Sequence, residues 1–157
     1  IYARHLEGND LDERNRVQEL IAKEKGAGLL DLERYSSFHQ KILESKRSIL
    51  SFMIQAKQEG KSVVGYGAPA KGNTLLNYCG IRTDFIDYTV DRNPHKQDCF
   101  LPGSRIPIYS PDRVKETRPD YLVILPWKLR EEIMSQMSHV RQWGGKFVTL
   151  IPEVDVF

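Results

Sequence analysis

The stretch VVGYGAPAKGNTLL, residues 63–76, predicts a buried strand, a glycine-rich turn and the start of a helix. Gly65 and Gly67 allow the backbone to turn tightly and to approach a ligand closely. The first amides of the following helix and the Lys71 ammonium are then placed to face an anion. These features predict a phosphate-binding turn for a nucleotide or a related compound.

The spacing of Gly65, Gly67 and Ala70 matches a loose form of the dinucleotide-binding fingerprint, with alanine in the third place. Asp91 follows Gly67 by 24 residues and ends an apolar run, which is where such folds bind ribose hydroxyls. Two alternatives remain open. The glycines can serve only close packing of strand and helix, and Asp91 can be a solvated turn residue.

Composition limits the class of protein. The chain has 157 residues, of which 40% are hydrophobic and 28% charged, so it can bury one core. The net charge of +2, without a long basic run that carries aromatic residues, predicts no nucleic-acid partner. No stretch is typical of a signal peptide or a membrane span, so we expect a cytoplasmic protein without a membrane partner.

The two cysteines and the first residues add two expectations. Cys79 and Cys99 are too few for a four-ligand zinc site and form no CxxC pair, so we expect free thiols and no bound metal. The chain begins at Ile1, without methionine, and residues 1–5 are typical of an isolated short strand. We therefore expect the chain to be part of a longer polypeptide.

The first 60 residues predict a helical segment, and residues 61–157 predict a Rossmann-like domain. One helix is expected from about Leu11 to Lys25 and a longer one from Asp31 to about Gln58, where apolar residues recur at helical spacing. The long helix is either a docking arm between modules or an ordinary helix that covers one face of a sheet.

After Gly60, strand and helix patterns alternate, which predicts an α/β fold with a mostly parallel sheet flanked by helices. A continuously apolar strand is suited to the centre of the sheet, whereas the extended piece with Pro107 is confined to an edge or a loop. The predicted strands are 63–66, 85–90, 105–109, 121–125 and 146–151, and the predicted helices are 70–78, a short one from Ser110, and 129–143.

In such a sheet, ligands bind beyond the carboxyl ends of the strands. This position nominates three loops, at residues 67–72, 91–98 and 126–128. In the third, Trp127 either stacks on a base or caps the sheet.

The loop at residues 91–98 is rich in hydrogen-bonding groups. Asp91 and Asn93 can hold sugar or base hydroxyls, and three cationic side chains can neutralise a pyrophosphate, although a solvated polar loop is the alternative. These three side chains are Arg92, His95 and Lys96.

The sequence offers little catalytic chemistry. His95 is the one histidine that this interpretation places at the ligand face, which makes it a weak candidate for a general base. His39 and His139 fall on helices, where exposed or capping roles are expected. With no nucleophile elbow, Walker A motif or metal-ligand cluster in the sequence, it predicts a binding module.

Several motifs in one order resemble the carboxyl-terminal domain of S-adenosylmethionine-dependent C-methyltransferases that act on nucleotide-linked deoxysugars. The matching pieces are GYGAPAKGNT (residues 65–74), VDRNPHK (90–96), LPG (101–103) with IPI (106–108), LPW (125–127) and WGGKF (143–147). The helical region before residue 60 is similar to the segment that joins this domain to the methyltransferase core.

The resemblance implies a protein of three parts: a cysteine-ligated zinc module, a central domain that binds S-adenosylmethionine, and this Rossmann-like module, which helps to bind the nucleotide sugar. The zinc ion, the methyl donor and the principal catalytic groups then belong to the other parts. Residues 1–5 would be the last strand of the central domain. The present chain is expected to be catalytically silent alone, to contact the central domain and to bind no cofactor itself.

On this basis we expect Lys71 and the amides from Gly67 to Gly72 to contact phosphate, Asp91 and Asn93 to contact hydroxyl or base groups, and Lys96 to add charge. The full set of expected substrate-binding residues is Tyr66, Gly67, Ala68, Lys71, Gly72, Asn73, Asp91, Asn93, Lys96 and Trp127. Two other functions remain open: a free-standing NAD- or coenzyme-A-binding domain, and a noncatalytic scaffold or dimerisation module.

Overall fold

The computed structural model describes residues 12–157, with side chains from Asn15 onward. The strand predicted at residues 1–5 lies outside this range. The chain divides into two compact units, with the boundary between Leu43 and Glu44. The sheet belongs entirely to the second unit.

Two helices come first, close to the predicted limits. α1 spans Asp12–Gly26 and α2 spans Leu32–Gln58, so the boundary between the two compact units falls inside α2. In the second unit, buried side chains of α2 recur at helical spacing and join the hydrophobic core next to the sheet. This part of α2 is therefore a covering helix; the buried residues are Ile49, Met53 and Ala56.

Six strands form one sheet: β1 (Val63–Tyr66), β2 (Thr89–Val90), β3 (Ile108–Tyr109), β4 (Tyr121–Ile124), β5 (Lys146–Thr149) and β6 (Asp155–Val156). Their order is β3-β2-β1-β4-β5-β6, and all neighbours are parallel except β5 and β6. The chain builds outward from β1 to β3 and then crosses back to β4, so the order reverses between β1 and β4. This confirms the Rossmann-like, mostly parallel sheet, and folds of this class bind ligands in the crevice at such a reversal.

The helices flank the sheet on both faces. α3 (Ala70–Cys79) follows β1, α4 (Arg113–Thr117) follows β3, and α5 (Arg130–Gln136) follows β4 between two 3₁₀ turns, Trp127–Leu129 and Ser138–Trp143. One hydrophobic cluster unites α2 and α3 with the sheet, and a second unites α4 and α5 with its other face. Because side chains alternate along a strand, Val63 belongs to the first cluster and Tyr66 to the second.

Four predicted elements were wrong in extent, and one of them, the strand expected over residues 105–109, is limited to β3. The strand expected from Phe85 begins only at Thr89, because residues near Phe85 form a turn closed by the Ile86 N–H donating to the Arg82 carbonyl (3.0 Å). The helix expected over residues 129–143 is interrupted at Met137, where φ is −103° and ψ is 20°. The strand expected over residues 146–151 ends at Thr149, and the chain returns as antiparallel β6, which we did not predict.

Other features of residues 12–157 bear on the class of protein. None of their helices is both long and apolar enough to cross a membrane. Cys79 is buried, Cys99 is exposed, and both are free thiols. In this same part of the chain, no group of three or more His, Cys, Asp and Glu side chains is arranged to hold a metal ion.

Asp120 links the amino ends of β1 and β4 by hydrogen bonds, at the opposite end of the strands from the crevice. Its Oδ2 accepts hydrogen bonds from the Ser62 N–H and hydroxyl (both 2.9 Å), and its Oδ1 accepts one from Lys61 Nζ (3.0 Å). The pKa of Asp120 lies below its ordinary value of 3.8. The main cause is the hydrogen bond from the Ser62 N–H, and Lys61 is a further cause.

This depressed pKa predicts an acid-sensitive contribution to stability. The contribution is fully present above the unfolded-state pKa of about 3.9 and is lost as the pH falls through the lower folded-state pKa. Asp120→Asn should therefore lower the free energy of unfolding at pH 6 and flatten its dependence on pH below 4. Urea unfolding across pH 2 to 6 measures this, with the exposed Asp84→Asn as a control, and an unchanged acid slope would contradict it.

Candidate functional site

The glycine turn after β1 is fixed by contacts that exclude a side chain at Gly67. This residue has φ +88°, and a Cβ atom there would lie 2.7 Å from Cδ of Pro126. The Gly67 N–H donates to the Val90 carbonyl (2.6 Å), and its own carbonyl accepts from the Thr89 hydroxyl (2.8 Å). The turn is thus held between the ends of β2 and β4, at the reversal of strand order.

The start of α3 leaves its first amides open. Pro69 precedes the helix and provides no side-chain cap, and the first amide that bonds back to it is that of Asn73, to the Pro69 carbonyl (2.9 Å). Within the described residues, the N–H groups of Ala70, Lys71 and Gly72 have no acceptor. Three free donors at the positive end of a helix form an arrangement that suits an anion.

Gly72 brings α3 close to the sheet. It is buried, and a Cβ atom at this position would lie 2.9 Å from Cβ of Leu125. Gly72 therefore serves helix packing, and its N–H has no acceptor within the described residues.

Asp91 locks the glycine turn to the loop after β2. Its side chain is 14% exposed. Its Oδ2 accepts from the Ala68 N–H (2.8 Å) and from Lys96 Nζ (3.3 Å), and its Oδ1 accepts from the Asn93 N–H (2.9 Å). Both carboxylate oxygens of Asp91 therefore already accept hydrogen bonds from groups of the protein. The amides of Gly67 and Ala68, which we expected to face phosphate, likewise donate within the protein.

The rest of this loop is also internally bonded. Lys96 Nζ donates to the Ala68 carbonyl (3.1 Å) as well as to Asp91, and the Asn93 side-chain oxygen accepts from the His95 N–H (3.0 Å). The His95 side chain is exposed and lines none of the cavities described below. The geometry therefore gives His95 no contact that would support a catalytic role.

A cavity of about 360 Å³ lies beside the open end of α3; we call it the lysine cavity. Lys71 and Trp127, both predicted site residues, line it together with Lys128 and apolar side chains that include Leu125 and Leu129. No acidic residue lines it, and neither lysine forms a hydrogen bond or ion pair within residues 12–157. The lining surface is almost entirely apolar, so the cavity is walled by Trp127 and by alkyl chains, those of the two lysines included.

A smaller connecting cavity of about 200 Å³ lies at the strand reversal itself. It shares Pro126 and Leu129 with the lysine cavity, and Gly67 and Asp91 also line it. The two cavities are therefore adjacent across the glycine turn.

A third cavity, of about 480 Å³, lies on the α5 side of the sheet; we call it the histidine cavity. It shares Tyr66, Arg92 and Gln136 with the connecting cavity, and Met137 and His139 complete its inner wall. The Tyr66 hydroxyl donates to Gln136 Oε1 (3.3 Å), and burial raises the pKa of Tyr66. Three adjacent cavities thus follow the carboxyl ends of the strands.

Comparison with known proteins assigns the chain to a family. Residues 1–152 match the family model described as the C-methyltransferase C-terminal domain. The chain belongs to this family. It is similar to the C-methyltransferase NovU of Streptomyces niveus, with 35% identity over 144 residues, which are 92% of this chain and 34% of NovU. The chain thus spans about a third of the length of this relative.

Among solved structures, the chain is similar to UDP-D-quinovosamine 4-dehydrogenase from Vibrio fischeri, with a TM-score of 0.42 and 20% sequence identity. The similarity covers 59% of this chain and 79% of that chain.

In this C-methyltransferase C-terminal domain, only some of the predicted site residues line the cavities. Lys71 and Trp127 meet at the lysine cavity, and Tyr66, Gly67 and Asp91 line the connecting cavity. The other predicted residues line none of the three cavities; they are Ala68, Gly72, Asn73, Asn93 and Lys96. Among them, Asn73 is bonded through its side-chain oxygen to Asn77 Nδ2 (3.2 Å).

Sequence reasoning missed the polar side chains that this domain supplies from the elements after β3 and β4. We read residues 129–143 as one apolar helical stripe, although polar residues alternate with that stripe and follow a strand end. His139 illustrates the omission, because we expected it to be exposed or capping. The missed cavity residues are Asp112, Lys115, Glu132, Gln136 and His139.

Proposed function

We propose that this domain holds the diphosphate of a nucleotide-linked sugar for an S-adenosylmethionine-dependent C-methyltransferase. The observation that carries the proposal is the start of α3, where three N–H groups have no acceptor within the described residues and Lys71 forms no ion pair with them. A diphosphate carries two or more negative charges, and Lys71, Lys128 and the helix end supply the opposite charge without a competing carboxylate. Trp127 then offers an apolar wall to the ligand.

The proposal gives the domain a positioning role. Methyl transfer to a sugar carbon requires the carbon acid, a base and the methyl donor to be aligned, and a second domain that grips the nucleotide lowers the entropic barrier to that alignment. We place the methyl donor, the zinc ion and the catalytic groups outside residues 12–157. The base would then belong to the central domain, with no role for the exposed His95.

We further propose that the first unit contacts the central, S-adenosylmethionine-binding domain of the same protein. Large apolar side chains of this unit are exposed, and the chain corresponds to only about a third of NovU, which leaves ample further protein to cover them. The exposed side chains include Val17, Leu20, Ile21, Leu30, Leu32, Tyr35 and Phe38.

Lys71→Ala should weaken binding of a thymidine-diphosphate sugar about tenfold or more, because a charge-assisted contact contributes about 1.5–3 kcal/mol. Calorimetric titration of the 157-residue chain and of the full-length protein measures this. Lys146→Ala is the matched control. Lys146 is an exposed lysine at the amino end of β5, so it lies at the opposite end of the strands from the crevice.

The same titration separates the competing functions. Equal sugar-nucleotide affinity for wild type and Lys71→Ala would rule out the assignment of Lys71. Tighter binding of NAD than of the sugar nucleotide would favour a dinucleotide-binding domain. If neither chain binds a nucleotide, and light scattering shows stable self-association, a scaffold role would replace the proposal.

A further inference from the structure

The lysine cavity has an apolar lining beside a cationic helix end. Trp127, Leu125 and Leu129 line it, and the alkyl chains of Lys71 and Lys128 contribute to its wall. Both lysines are exposed, so their ammonium groups can contact an anion or water while the alkyl chains stay on the wall. A polar group that enters such a space loses water and gains few hydrogen bonds. The cavity therefore suits an apolar part of a ligand.

Trp127 supplies the aromatic ring of this wall. The residue is half-buried and begins the 3₁₀ turn after β4. Within residues 12–157, no other aromatic ring and no cation packs on its ring. A planar group of a ligand can therefore stack on Trp127, and stacking of a base on an aromatic side chain contributes strongly to nucleotide binding.

The cavity and the start of α3 share two residues, Ala70 and Lys71. Their N–H groups have no acceptor within the described residues, and the proposed function places a diphosphate on them. A ligand group in the cavity is thus next to that diphosphate. In a nucleotide-linked sugar, the groups next to the diphosphate are the sugar on one side and the nucleoside on the other.

Of these two groups, the base of the nucleoside fits the apolar lining better. The hydroxyls of a sugar would lose their hydrogen bonds to water in the cavity, and the sugar must reach a methyl donor that we place outside residues 12–157. A base has two apolar faces, and its polar rim can remain in water because the cavity is open to solvent.

We infer that the lysine cavity holds the nucleobase by stacking on Trp127, without hydrogen bonds that distinguish one base from another. This inference rests on the proposed function. The lining has almost no donor or acceptor that could match the rim of a base, so discrimination between bases of one size should be weak. A methyl group on the base should instead strengthen binding, because it adds apolar surface in an apolar site.

Two pairs of nucleotides test this inference by calorimetric titration of the wild-type full-length protein. Uridine and cytidine diphosphate differ only in the hydrogen-bonding groups of the base, so their affinities should agree within about fivefold. Thymidine and deoxyuridine diphosphate differ by one methyl group, and thymidine diphosphate should bind about fourfold more tightly. A larger preference within the first pair, or no gain from the methyl group, would overturn the inference. Neither comparison depends on the folding of a variant.

Trp127→Leu keeps an apolar side chain but removes the aromatic ring. It should weaken uridine and cytidine diphosphate about tenfold each and leave pyrophosphate affinity within about twofold. Trp127→Phe keeps a ring and should retain most of the nucleotide affinity. Phe100→Leu is the matched control, because Phe100 is an exposed aromatic residue that lines none of the three cavities, and it should change no affinity.

The outcomes separate this inference from the proposed function. Nucleotide affinities that survive Trp127→Leu would mean that the base lies elsewhere or that the rest of the protein covers the cavity. Either result would overturn the inference and leave the proposed function standing. An equal loss of pyrophosphate affinity in Trp127→Leu would also overturn it, because Trp127 would then support the start of α3 and not the base. Pyrophosphate binding that is insensitive to Lys71→Ala would overturn the proposed function instead.

Discussion

Gly67→Ala is expected to lower the free energy of unfolding by about 3 kcal/mol. The backbone φ of +88° at this position contributes about 1–2 kcal/mol of the loss, because a Cβ atom is strained in that region. The rest comes from overlap, since the new Cβ would lie 2.7 Å from Cδ and 3.0 Å from Cγ of Pro126. A proline ring cannot rotate away, so the loop after β4 must move.

Gly80→Ala is the matched control for this prediction. Gly80 ends α3 with φ +77°, but a Cβ atom there would have no neighbour within 4 Å. It should therefore show only the conformational part of the loss, about 1–2 kcal/mol. Urea unfolding of both variants measures the difference. Equal losses would mean that the close approach of the glycine turn to Pro126 contributes nothing.

Asp91→Ala is expected to lower the free energy of unfolding by about 2–4 kcal/mol. The substitution removes the acceptor for two backbone N–H groups, those of Ala68 and Asn93, and for the Lys96 ammonium. The side chain is only 14% exposed, so water replaces these hydrogen bonds poorly. The loop after β2 should then separate from the glycine turn.

Asp84→Ala serves as the control, because Asp84 is exposed and belongs to a turn on the surface. Its effect should stay within about 0.5 kcal/mol. Thermal and urea unfolding of both variants decide between two roles of Asp91. If Asp91→Ala is as stable as Asp84→Ala but loses affinity for the nucleotide, then Asp91 mainly contacts the ligand and does not stabilise the glycine turn.

Much of the fold was accessible from sequence because local patterns match the structure closely. The apolar run at residues 63–66 and the one at 121–124 are strands buried in the sheet, and Gly80, a residue type that favours helix ends, ends α3 in the left-handed conformation. The short β6 was not accessible, since its two residues are exposed and pair only through the return of the chain beside β5. Such a pairing depends on tertiary geometry and leaves little periodic signal.

The candidate site was accessible only in part. Lys71 was found because a lysine after a glycine turn has a local signature, and Trp127 because it follows a strand end. The role of Asp91 could not be read from the sequence, which gives the residue type but not the Ala68 N–H at 2.8 Å that it engages. His139 was missed because helical periodicity draws attention to Ile133, Met137 and Val140, and its burial follows from packing between α4 and the chain after α5.

The most direct test of the account is a crystal structure of the full-length protein with thymidine diphosphate. We expect the diphosphate within hydrogen-bonding distance of the amides of Ala70, Lys71 and Gly72, with Lys71 Nζ in contact with a phosphate oxygen. A diphosphate bound entirely elsewhere, with the start of α3 free of ligand, would contradict it.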